Sequence, residues 1–206
     1  MPYLFEPLTL KGFTLKNRIV MAPMCQYSAG DDGVPNDWHY VHYTTRAVGG
    51  VGLIMTEATA VESRGRITER DLGIYDDHQG EGLSRLVGMV HQPGAKVGIQ
   101  LAHAGRKAWS ENQGFGPGQP VAPSPLPFDE VWNTPHALSI AEIDQIVIAF
   151  QKAARHALAA GFDVAEIHAA HGFLINQFLS PLSPSRRHPV PQSPRPKPST
   201  AGRRHR

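Results

Sequence analysis

Asp163-Val-Ala-Glu-Ile-His-Ala-Ala-His171-Gly-Phe-Leu174 is the stretch whose reading decides the fold. The run from Phe162 to Ile167 alternates apolar and polar residues and is entered through Gly161, which closes a long helical pattern. It therefore reads as a buried strand following a helix. At its C-terminal end stand His168 and His171, followed at once by Gly172. In α/β proteins the ends of strands are where side chains reach ligands. Two imidazoles held there can donate a pair of hydrogen bonds to one oxygen, either a carbonyl to be polarised or an anion. The same spacing also fits one buried, satisfied histidine beside a surface one. Zinc would need four ligands, and the chain offers a single cysteine and no second clustered pair. No metal is expected.

Working back towards the N-terminus, Ser139-Ile-Ala-Glu142 is a capping box, and Ile143, Ile146, Val147, Phe150, Ala154 and Leu158 recur behind it at helical spacing. That predicts a helix to about Ala160. Before it lies a loop from Trp109 to Leu138, dense in Pro and Gly, of a length that is usually functional or disordered. Lys96 to His103 reads as a strand, Glu81 to His91 as a helix stopped by Pro93-Gly94, and Gly52 to Val61 as a strand too apolar to have a wet face. Asp37 can cap a helix to about Val48, with Gly49-Gly50 ending it. Asn17 to Ala22 is a first core strand, and Leu8 to Leu15 is a hairpin around Lys11-Gly12.

Four apolar strands separated by helical crossovers make a parallel sheet of βα units. Three of them end in polar groups: Cys25 and Tyr27, then Gln100 and His103, then His168 and His171; the other ends in Glu57 and Ala58. Functional groups gathered at one end of successive parallel strands mark the upper face of a TIM barrel, which needs eight strands. The fold class is therefore α/β: a partial TIM (β/α)8 barrel of about four βα units, with an N-terminal hairpin and a disordered C-terminal tail.

The tail spans residues 184–206 and follows a single domain over 1–183. It holds six Arg, one Lys, six Pro and no acid, and cannot form strand or helix. Those seven positive charges against a total of +2 leave the body at −5. A nucleic-acid partner would rest on the tail alone, and none is expected. No apolar run is long enough to cross a membrane, no signal peptide is expected from the first residues, and the lone Cys25 fits a reducing, cytoplasmic setting.

Five long motifs carry a resemblance. They are Leu15 to Tyr27, Gly52 to Ala58, Gly65 to Thr68, Gly98 to Lys107, and Gly161 to Leu174 with Phe178 to Leu182. The chain resembles the Old Yellow Enzyme family of flavin-dependent ene-reductases, and most closely its bacterial NADPH dehydrogenase branch, over nearly all of residues 3–183. The resemblance implies FMN bound over the C-terminal strand ends, with NADPH as reductant. The reduced flavin would pass hydride to an activated alkene, an α,β-unsaturated carbonyl. By position, Ala22, Pro23, Met24 and Cys25 would line the flavin, Ala58 would lie against it, and Gln100 would bond its pyrimidine edge. His168 and His171 would hold the carbonyl oxygen and Tyr27 would contact the substrate. Negative charge builds on that oxygen as hydride arrives, so two fixed donors would favour the transition state over the ground state.

Two departures stand out. Where the family typically has a proton-donating tyrosine two residues after the second histidine, this chain has Phe173. After Ser183 the family's remaining βα units give way to the Pro/Arg tail, a break in mid-fold such as a frameshift or truncated reading frame would leave. The expected activity is an NADPH-linked, FMN-dependent oxidoreductase, or an inactive fragment of one. The alternative is a non-catalytic half-barrel that pairs with another chain or a second copy, as a homo-oligomer.

Overall fold

The computed structural model describes residues 3–109 and 119–183; the tail at 184–206 and the middle of the long loop, 110–118, lie outside them. A hairpin comes first, β1 (Leu8–Leu10) and β2 (Phe13–Leu15), with Leu8 paired to Leu15. Its loop residues Lys11 and Gly12 have φ of 35° and 100°. Positive φ at both positions matches the twist of the flanking strands, and glycine adopts it without steric cost. Leu15 packs against Leu53 and Met55, with Val164 beside them, so the hairpin covers one end of the inner face of the main sheet.

There follow β3 (Val20–Met21), α1 (Asp37–Val48), β4 (Leu53–Ala60), α2 (Asp77–His91), β5 (Lys96–Ala102), β6 (Val121–Ala122), β7 (His136–Ala137), α3 (Ile140–Ala160), β8 (Val164–Ile167) and α4 (Leu174–Leu179). β3, β4, β5 and β8 lie side by side in that order, every pair parallel. The outer face of the sheet is sealed by helices: Ile54, Val97, Ile99 and Leu101 join Leu83 and Ala157 in one buried core. β4 is buried at every residue, as its composition predicts.

Several boundaries differ from expectation. α1 is capped by Asn36, not Asp37: Asn36 has extended backbone and accepts from the Trp38 N–H at 3.1 Å. Both residues are good caps, and the turn after Pro35 selects the first. α2 begins at Asp77 under an Asp76 cap rather than at Glu81, because Gly80 and Gly82 dilute a helical pattern that is nonetheless continuous. Ser139 and Glu142 form the predicted reciprocal cap on α3, and Gly161 ends it at φ 92°. The first core strand shrinks to Val20–Met21, since the Asn17 side chain turns back to bond the Gly50 carbonyl and the Ile19 N–H. The described part of the long loop is not structureless: β6 and β7 pair through Val121 and His136, and Val121 and Leu138 pack on Ile146 and Leu174.

The largest correction concerns β8. Read as buried, it is an open edge, with Ala165, Glu166 and Ile167 exposed. No strand among the described residues pairs with its far side. Next to it, Ile167, Ile143, Phe150, Leu174 and Phe178 line an apolar groove of about 310 Å³ between α3 and α4.

Candidate active site

The strand ends meet on one rim. Register sets Ala58 opposite Gln100 and Gln100 opposite Glu166. Side chains alternate along a strand, so Glu166 and His168 leave β8 on the same face. Gln100 is buried and its Nε2 donates to Glu166 Oε1 at 2.5 Å. Cys25 reaches this rim from the segment after β3, close to Ala58 and Tyr27. It packs with Ile67, Ala104, Ala108, Trp109 and Phe173. Tyr27 stacks on Trp109 with ring centroids 5.8 Å apart. Ala22, Pro23 and Met24 lead into Cys25 along the rim, with Ala22 and Met24 exposed. All nine residues singled out from the sequence thus lie at the carboxyl ends of the strands or in the segments leaving them.

The histidines meet, but not as a free two-donor fork. The Ala170 N–H donates to His168 Nδ1 at 3.2 Å. That makes Nδ1 the acceptor and places the ring proton on Nε2, which lies 3.3 Å from His171 Nδ1. The imidazoles therefore bond to each other, edge to face, and His171 Nε2–H is the donor left over. A substrate oxygen would draw the second donor by displacing this bond. Burial, then the neighbouring His171, hold the His168 pKa below its ordinary value, with Glu166 opposing and Lys107 adding to the fall. His168 is thus neutral at pH 7.

Strain collects at two of the three residues expected to touch substrate. Tyr27 and His171 have φ of 50° and 55°. For residues with a bulky side chain the left-handed region costs on the order of 1 kcal/mol or more. The His171–Gly172 turn is held by α4: Asn176 Oδ1 accepts the Gly172 N–H at 2.9 Å, and Gln177 Nε2 donates to the Gly172 carbonyl at 2.7 Å. Lys107 Nζ donates to the His171 carbonyl at 2.9 Å and lies over the Phe128 and Phe173 rings. Phe173 stands edge-on to His168, centroids 4.6 Å apart.

Three residues at the rim were not assigned roles from sequence: Glu57, Glu166 and Gln177. For the two acids the available signal was a carboxylate inside an apolar strand run, which must find a partner when the strand is buried. Gln177 gave none; a polar residue in a short helix has no distinguishing pattern. Glu57 is fully buried and raised to about 7, chiefly by burial. Asp71 is raised to about 6, again chiefly by burial, and the Cys25 thiol to about 11 by burial with help from both acids. Among the described residues no group of three or more His, Cys, Asp or Glu could hold a metal, and no helix is long and apolar enough to cross a membrane.

The rim suits the ring end of a flavin. Ala22, Ala58 and Ala104 are small, Gln100 offers an amide to a heterocycle edge, and the bonded His168–His171 pair leaves one donor beside them. In TIM barrels a phosphate is commonly bound by the loops after the seventh and eighth strands, and the described sheet has four strands.

Sequence comparison places this arrangement among known proteins. The pattern of the NADH:flavin oxidoreductase / NADH oxidase family matches residues 3–190. An NADPH dehydrogenase of Geobacillus thermodenitrificans is 55% identical over 192 residues, covering 93% of this chain and 55% of the relative. One from Clostridium acetobutylicum is 54% identical over 180 residues, 87% of this chain and 52% of the relative. Among solved structures, morphinone reductase superposes with a TM-score of 0.81 at 36% identity, covering 90% of this chain and 53% of that one. An Old Yellow Enzyme from a Pichia species gives 0.83 at 31% identity, covering 90% and 50%. The chain spans about half the length of the curated relatives it matches, and its fold is a partial TIM barrel of the Old Yellow Enzyme type.

Proposed function

Because the chain belongs to the NADH:flavin oxidoreductase / NADH oxidase family, we propose that it carries the flavin-ring and substrate half of an FMN-dependent, NADPH-linked ene-reductase. The observation that carries this reading is the shared rim, where Cys25, Ala58, Gln100, His168 and His171 rise from the same end of one parallel sheet. Bound FMN would accept hydride from NADPH and deliver it to an activated alkene. The protein's part is binding and orientation. Ala22 to Cys25 and Ala58 form an uncluttered wall, and Gln100 fixes the pyrimidine edge. His168 and His171 hold the carbonyl oxygen of an α,β-unsaturated substrate, with His168 neutral and donating through Nε2. Tyr27 and Trp109 bound the substrate's open side. Phe173 supplies no proton, so protonation of the carbon next to the carbonyl falls to water or another group. A cytoplasmic setting accords with a lone thiol and a nicotinamide reductant.

The test is direct. Purified chain mixed with FMN should become yellow after desalting and oxidise NADPH in the presence of cyclohexenone; a colourless chain with no NADPH oxidation refutes the reading.

The open edges favour a second reading. Val20 on β3 is 50% exposed and Ile167 on β8 is 60% exposed. An unpaired edge with apolar neighbours invites another chain. In this reading the half-barrel is non-catalytic and closes against a second copy, β8 of one beside β3 of the other. Size-exclusion chromatography separates the two: a flavin-bearing monomer excludes the second.

A further inference from the structure

Glu57 occupies the one irregular position of the parallel sheet. Thr56 pairs with Ile99 and Ala58 with Gln100, so Glu57 is an extra residue with no partner on β5. Such bulges re-aim a side chain, and are common beside active sites. Here the bulge turns a carboxylate away from solvent and towards the segment that follows β3. Glu57 Oε2 accepts the Gln26 N–H at 2.8 Å, next in the chain to Tyr27. On the other side Tyr43 Oη donates to Oε1 at 3.1 Å and accepts the Glu57 N–H at 2.9 Å. His39 Nε2 stands 3.5 Å from Oε1, and both side chains are fully buried. The Asn36 N–H donates to His39 Nδ1, and His39 Nε2 itself makes no hydrogen bond. One buried side chain thus ties α1 to the segment carrying Cys25 and the left-handed Tyr27.

We propose that Glu57 is a positioning residue: its carboxylate clamps the Cys25–Tyr27 segment to the sheet rim, and Cys25 on that segment reports the state of the clamp. The role matters for catalysis on the reading that this segment lines a flavin, and it stands structurally without it. A loop residue at φ 50° persists only when its surroundings over-determine it. The backbone bond from Gln26, one residue before, ties it down here. The groups facing the carboxylate are Tyr43 and His39 from α1, Cys25 and Tyr27 from the clamped segment, and Asp71 from the loop after β4. Burial lowers the His39 pKa to about 4, so at neutral pH that imidazole is uncharged and leaves the acid's charge uncancelled. Burial raises Glu57 to about 7. The clamp therefore titrates near neutrality, and Cys25 should sense it.

Cys25 is the only cysteine of the 206 residues, so alkylation by iodoacetamide reports it alone. The rate is measured on the full chain without flavin from pH 6 to 10. In the parent, the logarithm of the rate should climb with pH, flatten around pH 7 as Glu57 ionises, then climb again. In Glu57→Gln, which keeps the shape and removes the charge, the shoulder should vanish and the rate at pH 8 should rise roughly threefold or more. Tyr43→Phe provides a second variant should the first fold poorly: loss of its donor raises the Glu57 pKa and moves the shoulder to higher pH. Profiles that superimpose on the parent's in either folded variant overturn the proposal. Failure of the flavin reading looks different, since a chain that binds no FMN yet keeps the shoulder loses the enzyme assignment and not the clamp.

Discussion

Replacing Gln177 with leucine should lower the stability of the chain by about 3 kcal/mol and loosen the His171 turn. The Gln177 amide is 1% exposed and serves three backbone groups at once. Nε2 donates to the Gly172 carbonyl at 2.7 Å and the Ala104 carbonyl at 3.1 Å, while Oε1 accepts the Arg106 N–H at 3.3 Å. Leucine fills a similar volume but bonds none of them. Each buried backbone group left without a partner costs roughly 1 kcal/mol net, and up to ~3 when water cannot reach it. Three such losses, eased somewhat by the added apolar burial, give the figure stated. With a urea slope of about 2–3 kcal/mol per molar for a chain of this kind, the midpoint should fall by about 1 M. Asn176→Ala removes only the acceptor for the Gly172 N–H and should shift the midpoint by roughly a third as much. Amide exchange at Phe173, whose N–H bonds the Ala170 carbonyl across the same turn, should quicken in both. Equal shifts in the two variants, or a fall below about 0.3 M for Gln177→Leu, would refute the idea that α4 sets this turn through its amide.

Three further outcomes are expected. The folded pKa of Glu57, about 7, exceeds its ordinary 4.5, so the stability it contributes is complete below pH 4.5 and is lost as pH rises through 7. Glu57→Gln does not titrate, so its unfolding free energy relative to the parent should climb by on the order of 3 kcal/mol between pH 4.5 and 8; a difference flat with pH in urea melts contradicts a buried, strained acid. Gly98→Ala should cost about 1–3 kcal/mol, because the added Cβ would overlap Met55 Sδ and approach Val164 Cβ to 3.2 Å. Combining it with Met55→Ala should recover part of the loss, and strict additivity in thermal melts would argue against that contact. In a version extended to a whole barrel, Phe173→Tyr should speed reoxidation of the reduced flavin by cyclohexenone in stopped flow, by roughly a hundredfold if the hydroxyl becomes the proton donor; unchanged rates would remove that position from the chemistry.

Much of this molecule follows from local pattern. The hairpin at Lys11-Gly12, the reciprocal cap of Ser139 and Glu142, the stop at Gly161 and the unbroken apolar run of β4 are each dictated within a few residues, by dihedral preference, orphan amides or burial. Strand ends carrying Cys25, Gln100 and His168 are legible for the same reason, since βα order in the sequence fixes which ends of a parallel sheet coincide. What the sequence could not decide depends on neighbours far along the chain. Exposure of β8 is set by whether another strand pairs with its edge, and alternation within Val164–Ile167 is silent on that. The shift between Thr56 and Ala58 arises only where β4 meets β5, so the inward turn of Glu57 towards Tyr43 and Gln26 has no local signature. The His168–His171 bond likewise depends on which ring nitrogen the Ala170 amide claims. Sequence spacing brings polar groups to a rim; tertiary packing determines which of their hydrogen bonds are already taken and which remain for a ligand.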